Sequence, residues 1–428
     1  MLALRYCYIG LLLAVLSGCV SYSQSFQKIE TLMAQQKPEV ALQELEKLPT
    51  TGANELLYLL NKAMLLRMAG KYVESNIAFE QAKVLVDKLE AISVAEQVGA
   101  LTINDNLMAY EGEDYEQIAI HLYAALNYIE LGLWDNARVE ALQVDERIKR
   151  IKEKRDGKAV QDAFAAYLSG LIFEYGGELS DAMIAYRRAY QLYQRNKQTV
   201  PLYLKKDLLR LSQYLGLDQE YDAFAKKFAM TATPTVQQMK QQGEVVVLVH
   251  QSLAPIKRTE DILVQREGVP LRISFPVYQS RPDYIRQARL LVGDKVAITV
   301  IVDDFDKLAR LSLETHRAAM MARLVARAVI KRSAANAVKE QGGELAGFLV
   351  DAAGMMSEVA DTRSWLTLPK NIHFARLALP EGEYAARLEL IGMAGHVVQT
   401  IDLGRVDIQK GKQLWLEHVY VAPNTATP

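Results

Sequence analysis

The sequence predicts an α+β multidomain protein: an N-terminal helical-repeat α-solenoid, followed by a β-sandwich-like domain that carries an inserted helical hairpin. Three observations predict it. Residues 26 to about 230 hold few prolines, a strong helical period and a phrase that recurs at fixed offsets. From residue 244 onward, short β-branched runs alternate with turn residues. Between two groups of those runs, at about 305–361, the pattern returns to a helical one. The 428 residues are too many for a single core, since about 150 residues per domain gives two or three. Half are hydrophobic and 24% charged, as in ordinary folded chains, and the net charge of −1 gives no reason to expect nucleic acid.

Residues 1–18 read as a secretory signal peptide. Arg5 precedes the apolar run Leu11-Leu12-Leu13-Ala14-Val15-Leu16, and small residues close it. That run is shorter than the roughly 20 residues a membrane span needs, and no later run is long and uncharged enough. Leu16-Ser17-Gly18-Cys19 resembles a bacterial lipobox, in which cleavage falls before a cysteine that has received a diacylglycerol. The alternative is an ordinary signal peptide that happens to contain a cysteine. On the lipobox reading Cys19 is the lipidated residue. Cys7, the other of the two cysteines, leaves with the signal peptide, so the mature chain would have no disulfide and no free thiol. Each buried acyl CH₂ contributes about 0.8 kcal/mol, so three palmitate-like chains on Cys19 hold where one is marginal. Val20 follows instead of the aspartate that favours inner-membrane retention in enteric-type bacteria. The expected address is the periplasmic face of the outer membrane.

Residues 19–230 form the repeat domain. Gly70 ends one helix, and Ser75, Phe79 and Ala82 follow at offsets of five, nine and twelve. Gly132 repeats the pattern with Ala137, Ala141 and Val144, and Gly177 with Ala182, Tyr186 and Ala189. Gln36, 34 residues before Gly70, gives Ala41, Leu45 and Leu48. This resembles the tetratricopeptide pattern, a 34-residue helix-turn-helix. The small residue lets antiparallel helices approach, and the residue four further on fills the groove between them. The intervals of 62 and 45 residues imply a degenerate unit at 86–115 or inserted loops. Such arrays build concave surfaces that bind peptides or proteins. The candidate partner-binding residues are Tyr115, His121, Asn127 and Arg138, in and after the tyrosine-rich, acidic turn at 110–116. The competing reading of that stretch is repeat core plus solvated turn.

Residues 231–243, with Pro234, read as a linker. The β domain, 244–428, opens on Glu244-Val245-Val246-Val247-Leu248-Val249-His250. Further strands are expected at 271–278, 295–302, 372–379, 384–391, 397–403 and 414–421. In the insert, Arg323, Arg327 and Lys331 share one helical stripe beside Met321, Val325 and Val329. Gly342-Gly343 breaks that helix, and 344–361 forms a second. The stripe suits an anionic lipid or glycan, or it is simply the solvated side of a packed hairpin.

The insert leaves through Asp361-Thr362-Arg363-Ser364-Trp365-Leu366-Thr367-Leu368-Pro369. Trp365 is expected to plug the seam between insert and sandwich, with Arg363 bonded to Asp361 as a structural anchor. This phrase, the lipobox, Gly112-Glu113-Asp114-Tyr115-Glu116 and Ala125-Leu126-Asn127-Tyr128 resemble a family of uncharacterised bacterial outer-membrane lipoproteins with tetratricopeptide-like repeats and a C-terminal β domain. The resemblance spans nearly the whole mature chain and implies no known activity. Members resemble neighbours of lipoproteins that activate penicillin-binding proteins, which implies cell-wall work.

The sequence contains no GxSxG, HExxH, Walker loop or GxGxxG. Its six histidines stand singly, so neither a metal site nor a cofactor is expected. Asp303-Asp304-Phe305-Asp306 reads as a turn capping the helix that begins near Lys307. The expected role is a non-enzymatic, lipid-anchored scaffold or regulator of envelope assembly, with a periplasmic or outer-membrane protein as partner. The machinery served would be peptidoglycan synthesis, secretion or surface-polymer export. The alternative is an enzyme or carrier acting on peptidoglycan or glycan, with Asp303, Asp304 and Asp306 as its site.

Overall fold

The computed structural model describes residues 22–48, 52–96, 108–155, 157, 159–231, 235–266, 269–342 and 360–422. The signal peptide, Cys19 and almost all of the expected second insert helix lie outside them.

Helical pairs fill the N-terminal half. After α1 (Tyr22–Ser25) come the pairs α2 (Gln27–Ala34) with α3 (Pro38–Leu45), and α4 (Glu55–Met68) with α5 (Tyr72–Glu96). Next stand α6 (Asp114–Glu130) with α7 (Trp134–Lys154), α8 (Ala163–Tyr175) with α9 (Leu179–Arg195), and α10 (Leu202–Tyr214) with α11 (Asp218–Phe228). One turn geometry joins every pair. Gln36, Gly70, Gly132, Gly177 and Gly216 all have φ between 56° and 81°. In each turn the next N–H reaches back to the last helical turn, as Lys71 to Leu66 O, Leu133 to Tyr128 O and Glu178 to Phe173 O. These are left-handed helix ends, which only glycine adopts without strain, so the recurring glycine has a backbone cause. Gly216 adds a pair beyond those read from the sequence.

The small residues lie where helices cross. A Cβ on Gly170 would stand 2.4 Å from the Tyr186 ring and 3.3 Å from Ala182 O. Ser75 Oγ donates to Ala63 O at 2.8 Å across the α4–α5 crossing. The long interval after Gly70 begins with α5, a single 25-residue helix that runs through 86–96; residues 97–107 lie outside the described set.

The C-terminal half holds two four-stranded sheets. The first has the order β10 (Gln413–Tyr420), β1 (Gly243–Gln251), β7 (Asn371–Leu379), β6 (Val300–Asp304); β10 runs parallel to β1 and the other neighbours are antiparallel. The second is antiparallel: β5 (Lys295–Ile298), β4 (Ile285–Val292), β8 (Gly382–Gly392), β9 (Val397–Ile408). Val245, Val247 and Val249 of β1 share a core with Leu290, Leu388 and Ile408 of the second sheet. Val246 and Leu248 point the opposite way, into a core shared with the inner helices α4, α6 and α8. A strand buried on both faces reads as an unbroken apolar run, which explains the valine string. The layers are therefore outer helices, inner helices, first sheet and second sheet.

The expected linker contains a short helix, α12 (Val236–Lys240), which Thr235 opens with a reciprocal capping box, and Val236 joins the core. β2 (Ile256–Arg266) and β3 (Val269–Gln279) pair as a separate ribbon; of the two, only part of β3 was expected. The described arm of the insert is one helix, α13 (Phe305–Gly342), laid on that ribbon through Met320, Met321, Leu324 and Val325 against Ile273 and Phe275. Its basic stripe is divided. Arg327 is buried and Arg323 exposed, while the Lys331 side chain lies outside the described set.

Candidate functional site: a buried polar seam and an outer cleft

The inner face of the repeat, expected to be open for a partner, is filled by the protein's own first sheet. Helices α6 and α8 are consequently buried nearly all round. This corrects the reading of three partner candidates. Tyr115, His121 and Asn127 are each at most 4% exposed. Asn127 donates to Ser75 Oγ and Asn76 Oδ1, both at 2.8 Å, and accepts from Arg67. His121 Nδ1 lies 2.8 Å from Glu140 Oε2, and burial outweighs that carboxylate, so its pKa falls and the ring is neutral at pH 7. The Tyr115 hydroxyl meets those of Tyr278 and the Glu116 carboxylate. Arg138 alone stays half-exposed, paired with Glu178. Period alone cannot separate a polar residue that packs in a hydrogen-bonded seam from one that faces water.

The family-like phrase crosses this seam. Trp365 is 1% exposed, packed edge-on against Phe79 (6.1 Å) and Tyr123 (6.2 Å) of the repeat. It seals repeat against sheet, where the sequence suggested insert against sheet. Its backbone N–H donates to Glu116 Oε1 at 2.9 Å, and Thr367 donates to Asn61 Oδ1, also at 2.9 Å. Arg363 donates to both Asp361 oxygens (2.9 and 2.7 Å), and to Ala53 O and Met108 O. Extended chain must have its carbonyls and carboxylates satisfied when it enters a core, and Arg363 does that for three separate segments.

Further ion pairs stitch the halves together. Arg376 of β7 donates to both Asp207 oxygens (3.0 and 2.9 Å) and to both Glu244 oxygens (2.8 and 2.9 Å). Arg67 of α4 pairs with Glu417 of β10. Burial raises the Glu417 carboxyl, but the Arg67 guanidinium wins and holds it at about 2. Nearby Glu130 is pushed up to about 7 by burial and then by the Glu417 charge. Lys257 pairs with Glu113, which it holds below the usual range against burial.

The acidic trio is engaged in structure. Asp304 Oδ1 accepts from Lys307 N at 3.0 Å and caps α13, while Asp306 takes Ser280 and Arg310. Asp303 is 1% exposed and neighbours Asp162, which is fully buried at the start of α8. The Oδ2 atoms of both have no hydrogen-bond partner among the described residues, and two neighbouring buried carboxyls resist ionising together. Burial raises both, Asp162 to about 6 and Asp303 further. Asp162 was missed in the sequence; the residues after it signal only a helix cap, which it also is, through Ala165 N at 2.9 Å. Among the described residues no cluster of three or more His, Cys, Asp or Glu could hold a metal.

The outer helices keep an open side. Val73, Ile77 and Val84 of α5, Val139 and Leu142 of α7 and Ile184 of α9 are exposed. Between α7 and α9 lies a cleft of about 500 Å³. Among the described residues no helix is long and apolar enough to cross a membrane.

No family model matches the chain, and no curated protein matches it significantly. Several solved structures show a weak likeness to it. BtubC (BKLC) from P. vanneervenii is 16% identical over 46% of this chain and 71% of its own, with a TM-score of 0.30. MamA from Desulfovibrio magneticus RS-1 is 14% identical over 48% and 89%, at 0.30. A Podosopora anserina protein described as a kinesin light chain with nearly identical TPR-like repeats is 13% identical over 48% and 92%, at 0.31. Likeness at these scores carries no argument about function.

Proposed function

We propose that the chain is a protein-interaction scaffold or regulator of cell-envelope assembly and not an enzyme, held at the periplasmic face of the outer membrane by acyl chains on Cys19. One observation carries the scaffold reading: the inner face of the repeat array is consumed internally, while the outer helices α5, α7 and α9 keep apolar side chains in water. A repeat array braced by its own sheet is a rigid body that presents its outer side. The anchor and address rest on the residues Leu16 to Val20. Service to peptidoglycan synthesis, secretion or surface-polymer machinery rests on the family resemblance of the Asp361–Pro369 phrase. The test is photo-crosslinking in cells from Ile77, Val84 and Leu142, with buried Tyr123 as control. A discrete protein adduct from the outer positions is expected. Their silence, or release of soluble fragments from murein sacculi by the purified protein, would overturn the reading.

A further inference from the structure

The cleft between α7 and α9 has a floor, a charged end and an apolar end. Gln161 forms the floor, just before α8 begins. It is 5% exposed, its backbone carbonyl is taken by Asn196, and its Nε2 has no acceptor among the described residues. Leaving a buried amide donor unmade is costly, and a ligand that supplies an acceptor recovers that loss. Lys149, Lys152 and Arg195 rim one end. The cleft's own acids are committed, Asp145 to Arg188 and Glu146 to Arg150. Lys149 and Lys152 have no ion-pair partner among the described residues, and Arg195 is exposed, giving one N–H to Gly157 O. The cleft is thus positive at this end. At the other end Leu142 lines the cleft and is 46% exposed, on the α7 stripe that continues to Lys149 and Lys152.

We infer that this cleft takes an extended acidic segment of a partner protein. An apolar side chain of that segment lies on Leu142. Carboxylates follow at Lys149, Lys152 and Arg195, and one backbone or side-chain oxygen accepts from Gln161 Nε2. Spacing sets the register. Leu142 and Lys149 are seven residues apart on a helix, about 10 Å. An extended chain rises about 3.3 Å per residue, so the first carboxylate falls about three residues after the apolar anchor. The inference rests on the scaffold reading, since it names the kind of partner that the outer face receives.

The probe is a fluorescein-labelled ten-residue peptide with two leucines followed, three residues on, by a run of glutamates. Its binding to the full chain is read by anisotropy. Saturable binding is expected that weakens about tenfold in the Lys149→Glu/Lys152→Glu double variant and falls as salt rises. Gln161→Met, nearly isosteric and without the donor, should weaken binding severalfold while the unfolding midpoint holds or rises. Equal binding by the double variant, equal binding of a lysine-for-glutamate peptide, or no binding at about 1 mM peptide would overturn the cleft assignment. So would preference of the same face for phosphatidylglycerol vesicles over the peptide. An adduct at Val84 of α5 in cells, together with no peptide binding, would leave the scaffold standing and remove only the cleft.

Discussion

Asp303→Asn probes the shared proton between repeat and sheet. In the native chain Asp162 and Asp303 are both buried and neighbour each other, and neither Oδ2 has a hydrogen-bond donor among the described residues. Desolvation is the main cause of both raised values, with the neighbouring carboxyl next for Asp303. The unfolded chain releases these protons near pH 3.9, whereas the folded chain keeps one well above that. Stability from the pair is therefore whole below about pH 4 and is lost as pH rises through the folded values. Asp162 ionises at about 6 and Asp303 only above its ordinary range, and each proton held by the folded chain alone gives a slope of about 1.4 kcal/mol per pH unit. Asparagine replaces the Asp303 proton with a permanent N–H donor to Asp162 and keeps the oxygen that accepts from Asp304 N. The variant should gain on the wild type progressively as pH rises above about 6, because the wild type must give up a proton that asparagine does not carry. Near the pair, Tyr123 and Tyr193 are raised far above that window and stay neutral, while Asp304, also raised by burial, adds its charge to Asp303 in both wild type and variant alike. Urea unfolding followed by tryptophan fluorescence at several pH values measures the gap, with Trp365 reporting from the same seam. Parallel curves, or a constant penalty at every pH, would show that Asp303 carries no proton in the native state.

Trp365→Ala should cost about 3–5 kcal/mol by denaturant melt, since a fully buried ring between Phe79 and Tyr123 leaves a cavity; unchanged stability with lost partner capture would make the phrase a binding site instead. Ala182→Leu should lower the unfolding midpoint, by about 1–3 kcal/mol, because Ala182 packs against Gly170 with no room to spare. An unaltered midpoint would count against the helix crossing. Arg376→Met leaves Glu244 buried without its cation and Asp207 with Arg210 alone, and should destabilise by about 3–5 kcal/mol by denaturant melt at pH 7. Cys19→Ser should leave an uncleaved, mislocalised precursor, and normal membrane fractionation of that variant would refute the lipobox.

Much of the architecture was legible in the chain because its causes are local. A left-handed helix end demands glycine, so Gly70, Gly132 and Gly177 mark their turns. Close helix approach demands a small residue, so Ala182 and Gly170 mark theirs. The valine run of β1 announced a strand, and Asp304 announced a cap. What the sequence could not reveal is which surface meets which. Amphipathic period says that a helix has a buried side, but not that the inner side of α6 and α8 is covered by β1 and β7 of the same chain. That docking turned Tyr115, His121 and Asn127 from surface candidates into seam residues. It also assembled pairs from distant segments: Arg67 with Glu417, Arg376 with Asp207, and Asp162 with Asp303. A charged or polar residue carries the same letter whether water or a partner satisfies it, and only the tertiary contact decides which of the two it is.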